Sequence, residues 1–457
     1  MLIQFSIKNF LSFGDETTLC MIPGKSRNKK DHIITCPTGK NISTLPLAIF
    51  YGSNASGKSN FVKAFDFFRS LILGEIDTTK SIPVSLFKLK EQNLKEPARF
   101  EIIFKHEGVL YTYGILISAQ AVHEEWLFAR FSSFNKRIFE RVTDNEGKTK
   151  VEAGPLLAQS ITGKQKAVNL LASIISPRKL FLTECADRGG VSDLLKPILY
   201  WFENCLHVLS PSIKCSTLPI LAEQDEKFLE FFNDFIVASD TGIAAIKSKK
   251  EYLDVDKHLK DIPEDFKKRL LNDIEKIKAL KQEKEALLAV YSPGNYFNIL
   301  IDKNSNAYFL GLSIQHKNEQ GKDIFFEFFE ESDGTQKLMH LTPMLKNALQ
   351  QEHVYVLDEL DCNLHSLLTI AFLKVFLRGI TNNNAKSQFI FTTNDTNILD
   401  LDILRRDEIY FVEKDKAGCS HITSLADYKL VDGLKISNGY LYGRFGAIPY
   451  LKDMEKF

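Results

Sequence analysis

Gly52-Ser53-Asn54-Ala55-Ser56-Gly57-Lys58-Ser59 is the stretch on which the reading of this chain turns. It matches the pattern G-x-x-x-x-G-K-[ST]. Glycines at those positions let successive backbone N–H groups curl around phosphates, and a following helix adds the positive end of its dipole. Lys58 is predicted to reach the β- and γ-phosphates of ATP, and the Ser59 hydroxyl to ligate Mg²⁺. Asn60 closes the predicted binding loop. A chance match in a chain of this size has a probability of roughly one or two per cent. The context narrows it further. The loop follows the apolar run Leu45–Phe50, which reads as a strand covered on both faces. It precedes a segment in which Phe61, Phe65, Phe68 and Ile72 recur at helical spacing.

Downstream, the apolar run from His353 to Leu357 ends in Asp358 and Glu359. At the C-terminal edge of a parallel sheet, Asp358 is expected to hold Mg²⁺ through water. Glu359 is then placed to orient or deprotonate the attacking water. Before that strand, Ser332-Asp333-Gly334-Thr335-Gln336 opens a segment whose Leu338, Leu341, Leu345 and Leu349 keep one face apolar. A serine and a glycine at a helix start form a second anion site. Taken alone they read equally as a helix cap. The order of P-loop, long insertion, Ser-x-Gly-x-Gln helix start and acidic strand is the layout of ABC-type heads. In those heads such a signature completes the nucleotide site of the opposite subunit. Asp361-Cys362-Asn363-Leu364-His365 follows the acidic strand, where such heads carry a loop that crosses the dimer interface. Phe391-Thr392-Thr393-Asn394-Asp395 follows the next apolar run and puts Asn394 where a γ-phosphate sensor is expected.

The rest of the chain reads as follows. Residues 2–13 look like an edge strand with Ile3, Phe5 and Ile7 on one side, and residues 20–44 are turn-rich and basic. Phe100–Phe104 and Val109–Ile117 form a predicted hairpin around His106–Gly108. The stretch 157–210 reads as mixed helix. Residues 251–289 are charge-dense, with leucines and isoleucines recurring at helical spacing, and read as a helical arm or short hairpin that contacts a partner. Strands are expected at Tyr296–Ile301, Ala307–Gln315 and Ile324–Phe329. Helix about 335–350, strand Val354–Leu357, helix about 364–378, strand Gln388–Thr392 and strand Ile409–Val412 then alternate, which implies a largely parallel sheet. The predicted class is α/β, an ABC-type head with a mixed, largely parallel sheet and an inserted helical arm. Its segments are 1–190 with the P-loop, 191–290 as the insertion, and 291–457 with the signature, acidic strand and sensor.

Bulk properties fit a folded ATPase head. The chain has 457 residues, 44% of them hydrophobic, including 35 Phe, so a disordered chain is excluded. Lys+Arg and Asp+Glu balance at 58 each, which argues against a surface coated for nonspecific nucleic-acid binding. The seven cysteines are scattered without a CxxC pair and suit reduced, buried thiols. The alternating N-terminus lacks the plan of a signal peptide, and no apolar run approaches the ~20 residues that span a bilayer. The expectation is a cytoplasmic protein with no membrane contact.

The chain resembles the RecF/OLD-like branch of ABC ATPases, related to SMC and Rad50 heads. More narrowly it is similar to the AAA15 group of phage-defence ATPases, which includes RloA, AbiL and AriA-like proteins. The matching pieces are FSIKNFLSF, FYGSNASGKSN, EESDGTQKL, VLDELDCNLH, TTNDTNILD, LRRDEIYFVEKD and YLYGRFGAIPYL. Three positions depart from the family pattern: Asn394 replaces a sensor His, His365 stands where transporter-type heads have Asp, and Leu11 stands where relatives often have Arg. An Asn donates a hydrogen bond but carries no proton, so slow turnover is expected. The resemblance implies an ATPase that dimerises, alone or within a higher oligomer of dimers, through composite sites. It also implies a sensor or scaffold role in antiphage defence, a separate TOPRIM-type (RloB-like) nuclease as effector, and a phage protein or DNA as trigger. A DNA-repair or chromosome-processing head and a non-hydrolysing, nucleotide-gated interaction module are the competing readings.

Overall fold

The computed structural model describes residues 1–25, 28–36, 42–131, 134–144, 146–160, 174–187, 193–212, 214–260, 262–279, 285–292, 295–383, 385–430 and 435–449. Contacts group the chain into two compact units: Met1–Pro211 with Ala348–Cys362 and Leu373–Phe457, and Ser212–Asn347 with Asn363–Phe372. The segments 1–190, 191–290 and 291–457 cut across these units. Residues up to Pro211 belong with the P-loop, and residues 291–347 belong with the insertion.

The first unit holds two large sheets. The six-stranded sheet runs in the order Leu206–Leu209, Val354–Leu357, Gln388–Thr392, Leu47–Tyr51, Ile409–Lys414, Ser420–Ser424. All its pairings are parallel except the last, as the strand–helix alternation predicts. Leu47–Tyr51 is buried at every position, consistent with a strand covered on both faces. The seven-stranded sheet is antiparallel, in the order Thr149–Ala153, Lys136–Thr143, Val122–Arg130, Val109–Ile117, Ala98–His106, Leu2–Lys8, Thr17–Cys20. The predicted hairpin is there, and Glu107 and Gly108 supply the two positive φ angles that a two-residue turn requires. The opening strand is not an edge. It lies between Thr17–Cys20 and Ala98–His106, and it stops at Lys8 because Asn9 and Leu11 take left-handed φ of 57° and 51°.

Helix Lys58–Ile72 touches both sheets. Phe65 stacks on Phe5 at 3.8 Å between ring centroids, Phe68 stacks on Phe100 at 5.5 Å, and Phe61 lies 5.0 Å from Phe50. The Phe spacing in the sequence thus decides which face of the helix is buried, and the helix start comes to lie where the six-stranded sheet ends. Part of the mixed-helix stretch 157–210 lies outside the described residues. The rest includes helix Phe181–Asp187, whose start is held by the buried carboxylate of Glu125. Glu125 accepts from Phe181 N at 2.6 Å, Leu182 N at 3.0 Å and Tyr113 Oη at 3.0 Å, and pairs with Arg141 at 3.4 Å.

The second unit is built on an antiparallel five-stranded sheet. Its order is Ala245–Tyr252, Ala307–Lys317, Asn295–Ile301, Ala286–Ser292, with Asp323–Glu327 also paired to Ala307–Lys317. The charge-dense segment contains the short helix Val255–His258 and the longer helix Glu264–Ala279, flanked in sequence by strands of this sheet. Leu270 and Ile274 pack the longer one on Phe297, Ile299 and Ile301, so its apolar stripe serves this unit's core. The segment 251–289 read as a helical arm or short hairpin is thus part helix and part sheet, ending in strand Ala286–Ser292. Helix Asp333–Gln350 begins in this unit, and Leu338 and Met339 join Phe228, Phe232 and Leu312 in a second core cluster.

Glu125→Gln would leave a donor facing two backbone N–H groups and Arg141 without its counter-charge. The expected cost is about 3–5 kcal/mol, seen as a lower urea midpoint at unchanged slope. An unmoved midpoint would show that this network does not anchor the segment.

Candidate functional site

The P-loop spans the turn between strand Leu47–Tyr51 and helix Lys58–Ile72. Ala55 and Gly57 take φ of 64° and 119°, and this alternation of hands turns backbone N–H groups to one side of the loop. A Cβ on Gly57 would also strike Ser420 and approach Ser12 Oγ to 2.8 Å. One on Gly52 would strike the Val412 carbonyl. Gly57 is therefore fixed by conformation as well as by space, and Gly52 by space. Ser53 is half-buried, Asn54 and Ala55 are exposed, and Ser56 is buried.

Lys58 is 7% exposed and donates to the carbonyls of Gly52 at 2.6 Å and Ser53 at 3.3 Å. Burial pushes its pKa down, while Glu359, Asp358 and Asp361 pull it up. Ser59 Oγ donates to Asp358 Oδ1 at 3.1 Å. Thr392 Oγ1 donates to the same oxygen at 2.7 Å and accepts from Glu359 N at 2.7 Å. Glu359 has a left-handed φ of 49°, a strained geometry for a residue with a side chain. Asn394 is exposed just beyond the end of the neighbouring strand. Burial raises the pKa of the Asp361 carboxyl, with Asp395 acting in the same direction. The first unit thus brings together Lys58, Ser59, Asp358 and Glu359. A hydroxyl and a carboxylate already in contact are hard oxygen donors, the type that suits Mg²⁺, and a buried lysine among three carboxylates suits a polyphosphate with its counter-ion.

Three residues that sequence reasoning missed hold this arrangement. Thr392 joins the sensor strand to both acidic residues. Ser420 Oγ donates to the Ser56 carbonyl at 2.6 Å and lies 2.8 Å from Ser12 Oγ. Ser12 also accepts from Asn60 Nδ2 at 2.9 Å, so the Asn60 side chain braces the loop from behind. Thr392 ends an apolar strand and carries a weak sequence signal. Ser12 and Ser420 carry none.

The signature residues belong to the second unit. Ser332 caps helix Asp333–Gln350, its Oγ accepting from Thr335 N at 3.2 Å, and it is exposed. Gln336 Nε2 donates to the Glu331 carbonyl at 2.7 Å. A Cβ on Gly334 would come within 2.7 Å of the Asn363 carbonyl, so glycine allows the loop after the acidic strand to lie on this helix start. His365 is exposed, and its Nδ1 accepts from Leu367 N at 3.2 Å at the start of helix Ser366–Asn383.

A family model described as "AAA domain, putative AbiEii toxin, Type IV TA system" matches residues 47–400, which run from the P-loop strand past the sensor. The chain belongs to this AAA_21 family. A search of curated proteins found no match. Among solved structures, it is similar to the SMC head domain from Thermotoga maritima, at 13% identity and a TM-score of 0.39, covering 94% of this chain and 99% of that one. It is also similar to the recombination mediator protein RecF with ATP, at 13% identity and a TM-score of 0.33, covering 93% and 99%. Likeness at that level says nothing of what this AAA_21 chain binds. Among the described residues, no helix is long and apolar enough to cross a membrane.

Thr392→Val keeps the shape and removes the hydroxyl. Leaving Glu359 N and Asp358 without that partner is expected to cost about 1–3 kcal/mol in urea unfolding. ATP turnover should fall while ATP affinity without Mg²⁺ holds. Parental turnover would remove Thr392 from the site.

Proposed function

We propose that this AAA_21 chain is an ABC-type ATPase. It binds ATP at Gly52–Asn60, closes as a homodimer on it, and hydrolyses it slowly. The hydrogen-bonded set Ser59–Asp358–Thr392, with Glu359 beside it at the mouth of the P-loop, carries this reading. Lys58 neutralises the β- and γ-phosphates in place of its present carbonyl partners. Mg²⁺, when bound, supplies charge neutralisation across the phosphates, with Ser59 and Asp358 as the residues that hold it. Glu359 orients the attacking water and takes its proton. Asn394 donates a hydrogen bond near the γ-phosphate without offering a proton. The exposed helix start at Ser332 and Gly334 supports a composite site, in which it meets the nucleotide of a second copy.

The wider role we propose is that of a cytoplasmic sensor or scaffold in antiphage defence. In it the ATP-driven dimer, or a higher oligomer of dimers, presents a separate effector, a TOPRIM-type nuclease, and answers a phage protein or DNA. Support comes from the resemblance to the AAA15 group and from a family description that names a toxin of a toxin–antitoxin system.

Glu359→Gln is expected to retain ATP binding, hold the closed dimer in size-exclusion chromatography, and slow turnover by roughly 10²–10⁴. Parental hydrolysis would remove Glu359 from the proton-accepting role.

The composite site is tested by mixing. Lys58→Ala is expected to abolish ATP binding in calorimetry. Ser332→Arg should bind ATP but neither dimerise nor hydrolyse. Combined, the two chains can form a dimer with one intact site, and turnover absent from either alone should return in part. Normal hydrolysis by Ser332→Arg alone would overturn the shared site.

A further inference from the structure

We propose that the second unit binds a small heteroaromatic anion, a nucleobase-like ring joined to a phosphate-type charge, at a site separate from the P-loop. A cavity of about 340 Å³ opens in this unit, within the size range of small-molecule sites. Phe297, Phe309, Leu312 and Phe328 line it with apolar and aromatic surface. Among them stands Asn298, on the strand Asn295–Ile301, only 2% exposed. Its Oδ1 is buried and has no hydrogen-bond partner. An amide oxygen in such surroundings is costly unless a donor reaches it. The aliphatic and phenyl neighbours have no proton to give, so a ligand that brings an N–H or O–H against this part of the cavity would satisfy the amide oxygen. A planar ring bearing an N–H meets both demands, because it stacks on phenyl faces and donates in its own plane.

The cavity's charge points the same way. Lys214, Lys249, Lys257 and Lys260 line it against the single carboxylate of Glu327. Glu327 holds Lys249 at 2.7 Å, and Glu251 holds Lys257 at 2.6 Å, so both ammonium groups are fixed in place before any ligand arrives. Burial and the nearby Lys214 and Lys337 push the His340 pKa down to about 4, and its Nδ1 accepts from Cys215 N at 3.0 Å. The ring is then neutral at pH 7 with its proton on Nε2, a further donor. A hydrocarbon-tailed anion would match the phenyl lining and the lysines but leave Asn298 Oδ1 without a donor. Gln336 also lines the cavity, and it lies in the first turn of the helix that Ser332 caps, so an occupant touches the signature directly.

The test uses the full chain carrying Lys58→Ala, which removes the P-loop as a competing nucleotide site whatever the P-loop does. AMP, GMP, CMP, UMP and laurate are each titrated by calorimetry. At least one mononucleotide is expected to bind with one-to-one stoichiometry. Asn298→Leu should weaken it by at least about tenfold. Lys260→Glu, at an exposed position, should weaken it comparably while leaving the corresponding nucleoside unaffected. Should Asn298→Leu fail to fold, the Lys260→Glu contrast between nucleotide and nucleoside decides. Three outcomes overturn the proposal: no mononucleotide binds, binding survives the substitutions, or laurate alone binds.

Discussion

A loop that must present its N–H groups to phosphates cannot use them to hold itself together. Its shape has to be imposed from outside, and here the constraint falls on two serines from distant parts of the sequence. Ser420, on the last strand of the six-stranded sheet, grips the Ser56 carbonyl, and its own N–H donates to the Ser12 carbonyl at 2.7 Å. Ser12 comes from the segment just after the opening strand and is steadied by Asn60. The Ser56 carbonyl is thereby satisfied from outside the loop, those of Gly52 and Ser53 accept from Lys58, and within the loop Ser56 N turns back to the Ser53 carbonyl at 3.1 Å. The same two hydroxyls occupy the space a Cβ at Gly57 would need, so loop shape, glycine choice and support are one solution.

Acidic chemistry at the mouth of the loop follows a similar rule. Asp358 and Glu359 end one parallel strand, and Thr392 ends the next, so their separation is set by the sheet spacing. A single hydroxyl that donates to one acidic residue and accepts from the backbone of the other fixes both at once. The left-handed turn at Glu359 is held by that bond and by Cys362 N donating to the Glu359 carbonyl at 3.0 Å.

What could be read in the sequence was whatever depends on local spacing. The P-loop, the apolar strands before it and before Asp358, the phenylalanine face of helix Lys58–Ile72 and the helix start at Ser332 all reveal themselves within a few residues. Ser12, Thr392 and Ser420 did not, because a lone hydroxyl gains its meaning only from a partner brought close by the fold. The opening strand was misjudged as an edge because pairing partners leave no trace in alternation. The strand Ala245–Tyr252 went unread because its lysines look like a solvated surface. Its partner Ala307–Lys317 lies beyond the helix in sequence, so no local pattern announces the sheet.

The order of strands has a consequence for how the protein is born. Leu47–Tyr51 leaves the ribosome long before both its neighbours, Gln388–Thr392 and Ile409–Lys414. At about 5–20 residues per second, the glycine loop waits for roughly tens of seconds beside an apolar strand with two open edges. Ser420 arrives later still. An unfinished chain therefore carries the whole phosphate-binding sequence without the sheet or the clamp that shapes it.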